Sequence, residues 1–232
     1  MKKIVIITGA AGNLGRAAVE KFIDAGYYVI ATVEPNSKAA PLENRLRLET
    51  HTVDVTSEAD VEQFVRKIAA YTDSTIEASV MLVGGFAAGS IEQTGQEQLQ
   101  KMIQLNFESA YFMARQVYQQ MLKQDNGGQL IFIGARPALE SQEGKDYMAY
   151  ALSKSLLFKL AELLNAEGKK KHIFSSVLVP STIDTPRNRQ SNPDADFRTW
   201  VRPEEVAESM AFVCSPAGRK IQDVVLKVYG AA

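Results

Sequence analysis

The sequence predicts an α/β protein: a doubly wound parallel sheet of about seven strands with helices on both faces. Two observations carry this. Short apolar, β-branched runs alternate with segments of helical periodicity along the whole chain. The first of those runs also ends in a glycine-rich turn that opens a helix. Every segment fits one sheet, and no repeat, low-complexity tract or linker divides residues 1–232, so a single domain is expected.

Taken in order, Ile4 to Ile7 is continuous and β-branched, as suits a strand covered on both faces. Leu14, Ala18, Phe22 and Ala25 recur at helical spacing, and Gly26 stops that helix. Tyr27 to Val33 reads as a second strand, Pro35 to Asn44 as a loop and Leu46 to Val55 as a third strand. Ser57 with Asp60 signals a helix start before Val61, Phe64, Val65 and Ile68. Thr75 to Val83 is a fourth strand running into Gly84-Gly85, and a long helical region covers about Gln96 to Lys123. Asn126-Gly127-Gly128 breaks it before a fifth strand, Leu130 to Ile133. From Tyr147, Leu152, Leu156, Leu160 and Leu163 form a helical stripe ending near Gly168. Ile173 to Val179 is a sixth strand, and a polar loop runs from Ser181 to Val201. Pro203 to Phe212 is helical, with proline early, where its missing N–H costs nothing. Asp223 to Tyr229 gives the last strand.

Composition narrows the function classes. The net charge is −1, so the basic excess of a phosphate-gripping nucleic-acid binder is absent, and no nucleic-acid partner is expected. No apolar run approaches the roughly 18 residues that cross a bilayer, so no membrane partner is expected either. The apolar run after Met1-Lys2-Lys3 is too short for a signal peptide. Cys214 is the single cysteine and has no partner for an internal disulfide. A cytoplasmic protein acting on a small molecule is expected, with no metal site.

The turn after the first strand reads Thr8-Gly9-Ala10-Ala11-Gly12-Asn13-Leu14-Gly15. Glycines there permit a tight turn and close approach of a pyrophosphate, which the following helix N-terminus attracts. Glu34 ends the second strand, about 20 residues further on, where a carboxylate accepts both ribose hydroxyls and repels a 2′-phosphate. Lys38 is the nearest base. These residues predict NADH as the preferred cofactor, with NADPH possible; the alternative for Glu34 is a solvated loop charge.

Tyr150 and Lys154 stand four apart on a helical stretch and share a face. A phenol of pKa ~10 is a poor acid at neutral pH, and a neighbouring ammonium is expected to lower that value. The lysine also reaches ribose hydroxyls, so the pair suits proton transfer as a hydride arrives. Tyr147 competes for the role, but the residue four on from it is Ala151.

Here the chain resembles the short-chain dehydrogenase/reductase family over essentially its whole length. The matching pieces are the Thr8 to Gly15 turn, set against the family's Thr-Gly-x-x-x-Gly-x-Gly, Asp54-Val55, Asn106 and Tyr150-x-x-x-Lys154. The resemblance implies a Rossmann-type fold and cofactor contacts from Thr8, Gly9, Gly12, Asn13, Leu14 and Gly15. Further contacts would come from Glu34, Asp54, Val55, Gly84, Gly85, Tyr150, Lys154, Pro180, Ile183 and Thr185. Asp54 would hold the adenine amino group, Asn106 would keep a relay water behind Lys154, and Thr185 would contact the nicotinamide carboxamide or the phosphates. Each also has a local reading: Asp54 as a strand-end turn residue, Asn106 as a helix-bend residue, Thr185 as a cap.

The family places a serine after the fifth strand to hold a substrate carbonyl. Here that position is Ala135, which cannot donate a hydrogen bond, and Ser141 stands at the wrong spacing for a direct substitute. Either the substrate differs from a plain carbonyl or activity is weakened. The dihydropteridine reductase branch of the family is similar in this respect, and also in Gly84-Gly85-Phe86-Ala87-Ala88-Gly89, Gly134 to Leu139, and the stretch from Asp184 to Trp200. That similarity implies reduction of a quinonoid dihydropterin, an already electrophilic heterocycle, with Phe86 and Trp200 as candidate walls or as packing residues. The alternatives are a carbonyl or quinone reductase and a catalytically weakened NAD(P)-binding sensor. The helices near 96–123 and 147–167 carry more apolar residues than one sheet face needs, Leu156, Leu157, Leu160, Leu163 and Leu164 among them. Family members pair through such helices, so a homodimer or homotetramer is expected.

Overall fold

The computed structural model describes residues 2–71, 73–221 and 224–231. The chain runs β1 (Lys2–Ile7), α1 (Asn13–Asp24), β2 (Tyr28–Val33), β3 (Leu48–Thr52), α2 (Glu58–Ala69), β4 (Ser74–Met81), α3 (Gln96–Ile103), α4 (Ser109–Met121), β5 (Gly128–Ile133), α5 (Ser141–Gly144), α6 (Met148–Gly168), β6 (Ile173–Pro180), α7 (Pro186–Ser191), α8 (Pro203–Cys214) and β7 (Val225–Val228). The seven strands form one sheet in the order 3-2-1-4-5-6-7, and every pairing is parallel. The order reverses between β1 and β4, and a crevice opens at such a switch point beyond the strand ends. No helix among the described residues is long and apolar enough to cross a membrane.

The alternation of side chains along β1 explains the two layers. Ile4 and Ile6 pack with Val61 and Phe64 of α2, Met113 and Val117 of α4, and Leu157 of α6. Val5 and Ile7 point the other way, against Ala18 and Phe22 of α1 and Val206 and Met210 of α8. A strand covered on both faces has no polar side, hence the unbroken apolar run. The Ser57 hydroxyl accepts from the Asp60 N–H at 3.3 Å and starts α2, as its spacing predicts.

Several elements differ from the sequence reading. The third strand begins at Leu48, because Leu46 is 87% exposed and Arg47 adopts φ +70, which a strand cannot accommodate. The fourth strand stops at Met81, where the Leu82 N–H leaves the ladder for the Thr8 hydroxyl. Gly128 pairs with Ile173 and belongs to β5, although it reads as part of the breaker. The helical region from Gln96 contains a π-helical turn, Gln104–Glu108, between α3 and α4. The 181–201 segment holds a short helix, α7, because the Thr185 hydroxyl caps it by accepting from the Asn188 N–H at 3.2 Å and Pro186 sets its first turn. The last strand is confined to Val225–Val228; Asp223, read as its start, lies outside the described residues.

Phe22 is fully buried between α1, the sheet and α8. Phe22→Ala is expected to lower unfolding free energy by about 3–5 kcal/mol in urea titration. Leu46→Ala, at an exposed position, should change it by less than about 0.5 kcal/mol. Equal effects would mean that the layer is packed differently.

Candidate active site

The predicted residues follow the carboxyl ends of neighbouring parallel strands and therefore meet along one edge of the sheet. At the end of β1, the Thr8 N–H donates to the Val80 carbonyl at 3.0 Å, and the Thr8 hydroxyl accepts from the Leu82 N–H at 3.0 Å. Thr8 is buried by these bonds and thus staples β1 to the chain leaving β4. The turn then closes with the Gly12 N–H donating to the Gly9 carbonyl at 3.1 Å. A Cβ at Gly15 would stand 2.3 Å from the Gly9 carbonyl oxygen, so only glycine lets α1 sit this close to the turn. Gly12 is the N-cap of α1 and supplies no side-chain acceptor, which leaves the first N–H groups of the helix, at Asn13 and Leu14, uncapped by any side chain. Such an N-terminus fits a pyrophosphate. The glycines stand at 9, 12 and 15, whereas the family spacing places its second glycine at 13, where this chain has Asn13. The turn is of the same kind with its middle glycine moved by one residue.

Glu34 leaves β2 exposed, with its carbonyl accepting from the Ser37 N–H. Arg16, on the first turn of α1, donates to the carbonyls of Ala11, Pro41 and Ala40, tying the loop after β2 to the glycine turn. Beyond β3, one oxygen of Asp54 accepts from both the N–H (2.9 Å) and the hydroxyl (2.6 Å) of Thr56, which is the local turn role; Val55 is buried beside it.

The densest polar arrangement joins the ends of β4 and β5 to α6. The Asn106 carboxamide is buried in the π turn. It accepts from the Gly85 N–H at 2.9 Å and donates to the Gly85 carbonyl at 3.1 Å and the Ser153 hydroxyl at 3.0 Å. Ser153 in turn donates to the Tyr150 carbonyl at 2.8 Å. The Asn106 side chain is spent on Gly85 and Ser153, positioning the loop and the helix. Sequence reasoning missed Ser153, although it stands directly before Lys154. The Lys154 amine donates to the Ile133 carbonyl at 2.8 Å, and a Cβ at Gly84 would lie 3.3 Å from it and 2.6 Å from the Asn106 oxygen. Glycine at 84 therefore leaves the space over the amine open.

Two electrostatic findings alter the expectations. Burial lowers the Lys154 amine to about 8, against its ordinary 10.5. Burial also pushes the Tyr150 phenol up to about 12, with no neighbouring cation bringing it down. The expected lowering of Tyr150 by Lys154 is thus not found: desolvation dominates, and the amine faces the Ile133 carbonyl. At neutral pH the phenol holds its proton.

Aromatic rings frame this centre. Phe86 is 58% exposed, and its ring centroid lies 5.1 Å from Tyr150, edge to face, and 5.3 Å from Tyr147. Ala135 is buried and offers no donor, and Ser141 is exposed at the start of α5. Trp200 packs on Phe197 at 4.9 Å, whose ring also carries the Arg189 guanidinium at 4.7 Å. Arg189 is itself paired to both oxygens of Asp184. Trp200 thus belongs to a cluster of the 181–201 segment, and no ring contact joins it to Phe86 among the described residues. Pro180 ends β6, and Ile183 forms a bridge to Val201 that closes the segment on itself.

The buried amine has a consequence for stability. Unfolding returns Lys154 to its ordinary range, so between about pH 8 and 10.5 the unfolded chain holds a proton that the folded chain has released. Stability contributed by this group rises with pH through that window. From pH 7.5 to 9.5 the wild type should gain on the order of 2 kcal/mol relative to Lys154→Met in urea unfolding. A parallel pH dependence of the two proteins would show that the amine is hydrated.

The family model for short chain dehydrogenase matches residues 3–196. Dehydrogenase/reductase SDR family member 6 of Rattus norvegicus is 26% identical over 222 residues, covering 91% of this chain and 88% of that protein. Dihydropteridine reductase of Dictyostelium discoideum is 27% identical over 216 residues, covering 90% of this chain and 87% of that protein. Among solved structures, ElxO with NADP bound superposes with a TM-score of 0.87 at 20% identity, over 99% of this chain and 98% of that one. A doubly wound parallel sheet, a glycine turn at its switch point and a family match over most of the length agree: the chain belongs to the short-chain dehydrogenase/reductase family of oxidoreductases.

Proposed function

We propose that the chain is an NAD(P)H-dependent reductase of an already activated heterocycle, a quinonoid dihydropterin or a close analogue. The observation that carries this is a proton-holding phenol, Tyr150, set against an exposed aromatic ring, Phe86, beside a serine position filled by Ala135. The similarity to a dihydropteridine reductase supports the substrate class.

The residues divide the work as follows. The uncapped start of α1 at Asn13 and Leu14 holds the pyrophosphate, and the tight approach at Gly9, Gly12 and Gly15 makes room for it. Glu34 takes the ribose hydroxyls and selects NADH. Asp54 and Val55 border the adenine, and Pro180, Ile183 and Thr185 border the nicotinamide end. The bound cofactor supplies the hydride. Lys154, reached over Gly84, anchors the nicotinamide ribose, and Asn106 keeps that loop in place through Gly85. Tyr150 gives its proton to the ring nitrogen as the hydride arrives, and a phenol that stays protonated near neutral pH is in the state for that step. No side chain at 135 polarises the substrate, so the substrate must be electrophilic beforehand.

The decisive assay follows NADH oxidation with quinonoid dihydropterin, simple quinones and simple aldehydes. Turnover of the pterin well above the aldehydes supports the proposal. Preference for quinones favours the quinone-reductase reading, and cofactor binding with no turnover favours a sensor. Tyr150→Phe should lower kcat by at least about 10²-fold with NADH binding nearly intact, whereas Lys154→Met should damage both. Full activity in Tyr150→Phe would remove the tyrosine from the mechanism. Titration should show NADH binding more tightly than NADPH; the reverse would mean that Glu34 points away and a base such as Lys38 takes the phosphate.

The same reading includes a homo-oligomer through α4 and α6. Leu152, Leu156 and Leu163 are exposed along α6, Tyr111 on α4 and Leu122 at its C-terminal cap, while Leu157 and Leu160 are taken up by the core. Sedimentation at micromolar concentration should give a dimer or tetramer mass; a monomer would contradict it.

A further inference from the structure

The backbone that carries Phe86 is pinned on both sides of that residue. Before it, the Asn106 carboxamide holds Gly85 through both its N–H and its carbonyl. After it, the Gly89 N–H donates to the Asp146 carbonyl at 2.8 Å, and the Gly89 carbonyl accepts from the Met148 N–H at 2.9 Å. These two bonds form a parallel bridge between Gly89 and Tyr147. Gly89 makes the bridge at φ +150, a conformation that residues with a side chain rarely adopt.

Tyr147 stands at that second pin and immediately precedes α6, which carries Tyr150 in its first turn. Its main chain is fully committed: the N–H donates to the Gly144 carbonyl at 3.0 Å, and the carbonyl accepts from the Ala151 N–H at 2.8 Å. Its hydroxyl makes no hydrogen bond among the described residues. The ring does make a contact. The Phe86 centroid lies 5.3 Å from that of Tyr147, tilted at 49°, and 5.1 Å from that of Tyr150, at 69°. The two pins fix the Phe86 backbone but leave its χ angles free to change rotamer. Phe86 is 58% exposed, so core packing does not settle those angles. Ring contacts do, and of the two rings involved Tyr147 has no other polar or chemical task.

We infer that Tyr147 is a positioning residue of the active site: its ring, and not its hydroxyl, holds the Phe86 ring beside Tyr150, so that the substrate meets a fixed wall. The inference rests on the roles proposed above for Phe86 and Tyr150 and adds the residue that keeps the two together. The start of α6 then supplies three functions in eight consecutive positions, support of the wall at Tyr147, the proton at Tyr150 and the ribose anchor at Lys154. It also explains why a tyrosine that lacks a lysine one turn later still belongs to the site.

The test combines steady-state kinetics with ring contacts measured by NMR. In Tyr147→Ala, KM for quinonoid dihydropterin should rise about fivefold, with kcat within about threefold and KM for NADH unmoved. Tyr147→Phe keeps the ring and should restore the wild-type KM. In a Phe86→Ala background, Tyr147→Ala should add nothing further, because the ring through which it acts is gone. In the protein without cofactor or substrate, nuclear Overhauser contacts between the Phe86 and Tyr150 rings should appear in wild type and Tyr147→Phe and be lost in Tyr147→Ala. An unchanged pterin KM in Tyr147→Ala, additive effects in the double variant, or ring contacts that persist without Tyr147 overturn the inference. A fall of kcat in Tyr147→Phe as large as that expected of Tyr150→Phe overturns it too, since the hydroxyl would then be the working group. A wild type that reduces no pterin overturns the proposed function, while the ring contacts still decide whether Tyr147 holds Phe86.

Discussion

Keeping the Lys154 amine out of water is the constraint from which the rest of the site follows. An ammonium buried without a partner is expensive, and its pKa falls to relieve the cost. The chain limits that cost with one hydrogen bond, to the Ile133 carbonyl at the end of β5. This bond fixes where α6 lies against the sheet, and with it the position of Tyr150 one turn earlier. Asn106 and Ser153 then lock the loop after β4 to the same helix. The π turn has a physical use here: it carries Asn106 in the widened stretch between α3 and α4, where its carboxamide bonds Gly85.

The sheet supplies the second half of the arrangement. Parallel strands all end on one edge, so residues following β1, β2, β3, β4 and β5 converge without any long loop having to bring them together. What differs between family members is then the chemistry placed at each strand end. In this chain the end of β5 carries Ala135, and the end of β4 carries Phe86 where a flat ring has somewhere to lie. The site is built to hold and protonate more than to polarise.

Much of this was legible in the sequence, for reasons that vary by element. β1 is covered on both faces, so its run Ile4 to Ile7 is unbroken; β6 is buried too, and although Ser175 and Ser176 interrupt its apolar run, its limits are nearly right. β3, an edge strand reading Leu-Glu-Thr-His-Thr, alternates polar and apolar residues and merges with its flanks, hence its overlong assignment. Tyr150 and Lys154 were visible because a helix brings residues four apart together. The state of the phenol was not, since spacing shows proximity and leaves burial out; the structure raises Tyr150 where proximity alone lowers it. Ser153 was overlooked because a serine on a helix carries no signal until its partner is known. Tyr147 lacks a lysine four residues on, and its contact with Phe86 carries no signal in the sequence. Trp200, a candidate wall or a packing residue on sequence alone, packs on Phe197.

On the proposed function, the substrate arrives activated because position 135 offers no donor. Comparison of kcat/KM for wild type and Ala135→Ser, with quinonoid dihydropterin and with a plain aldehyde, tests it most directly. Pterin reduction is expected within about threefold of wild type, with a gain on the aldehyde, since a hydrogen bond that strengthens in the transition state acts only where the carbonyl needs it. A gain of 10²-fold or more on the pterin would contradict the claim, because it would show that the substrate lacks the activation on which the whole site is argued to depend.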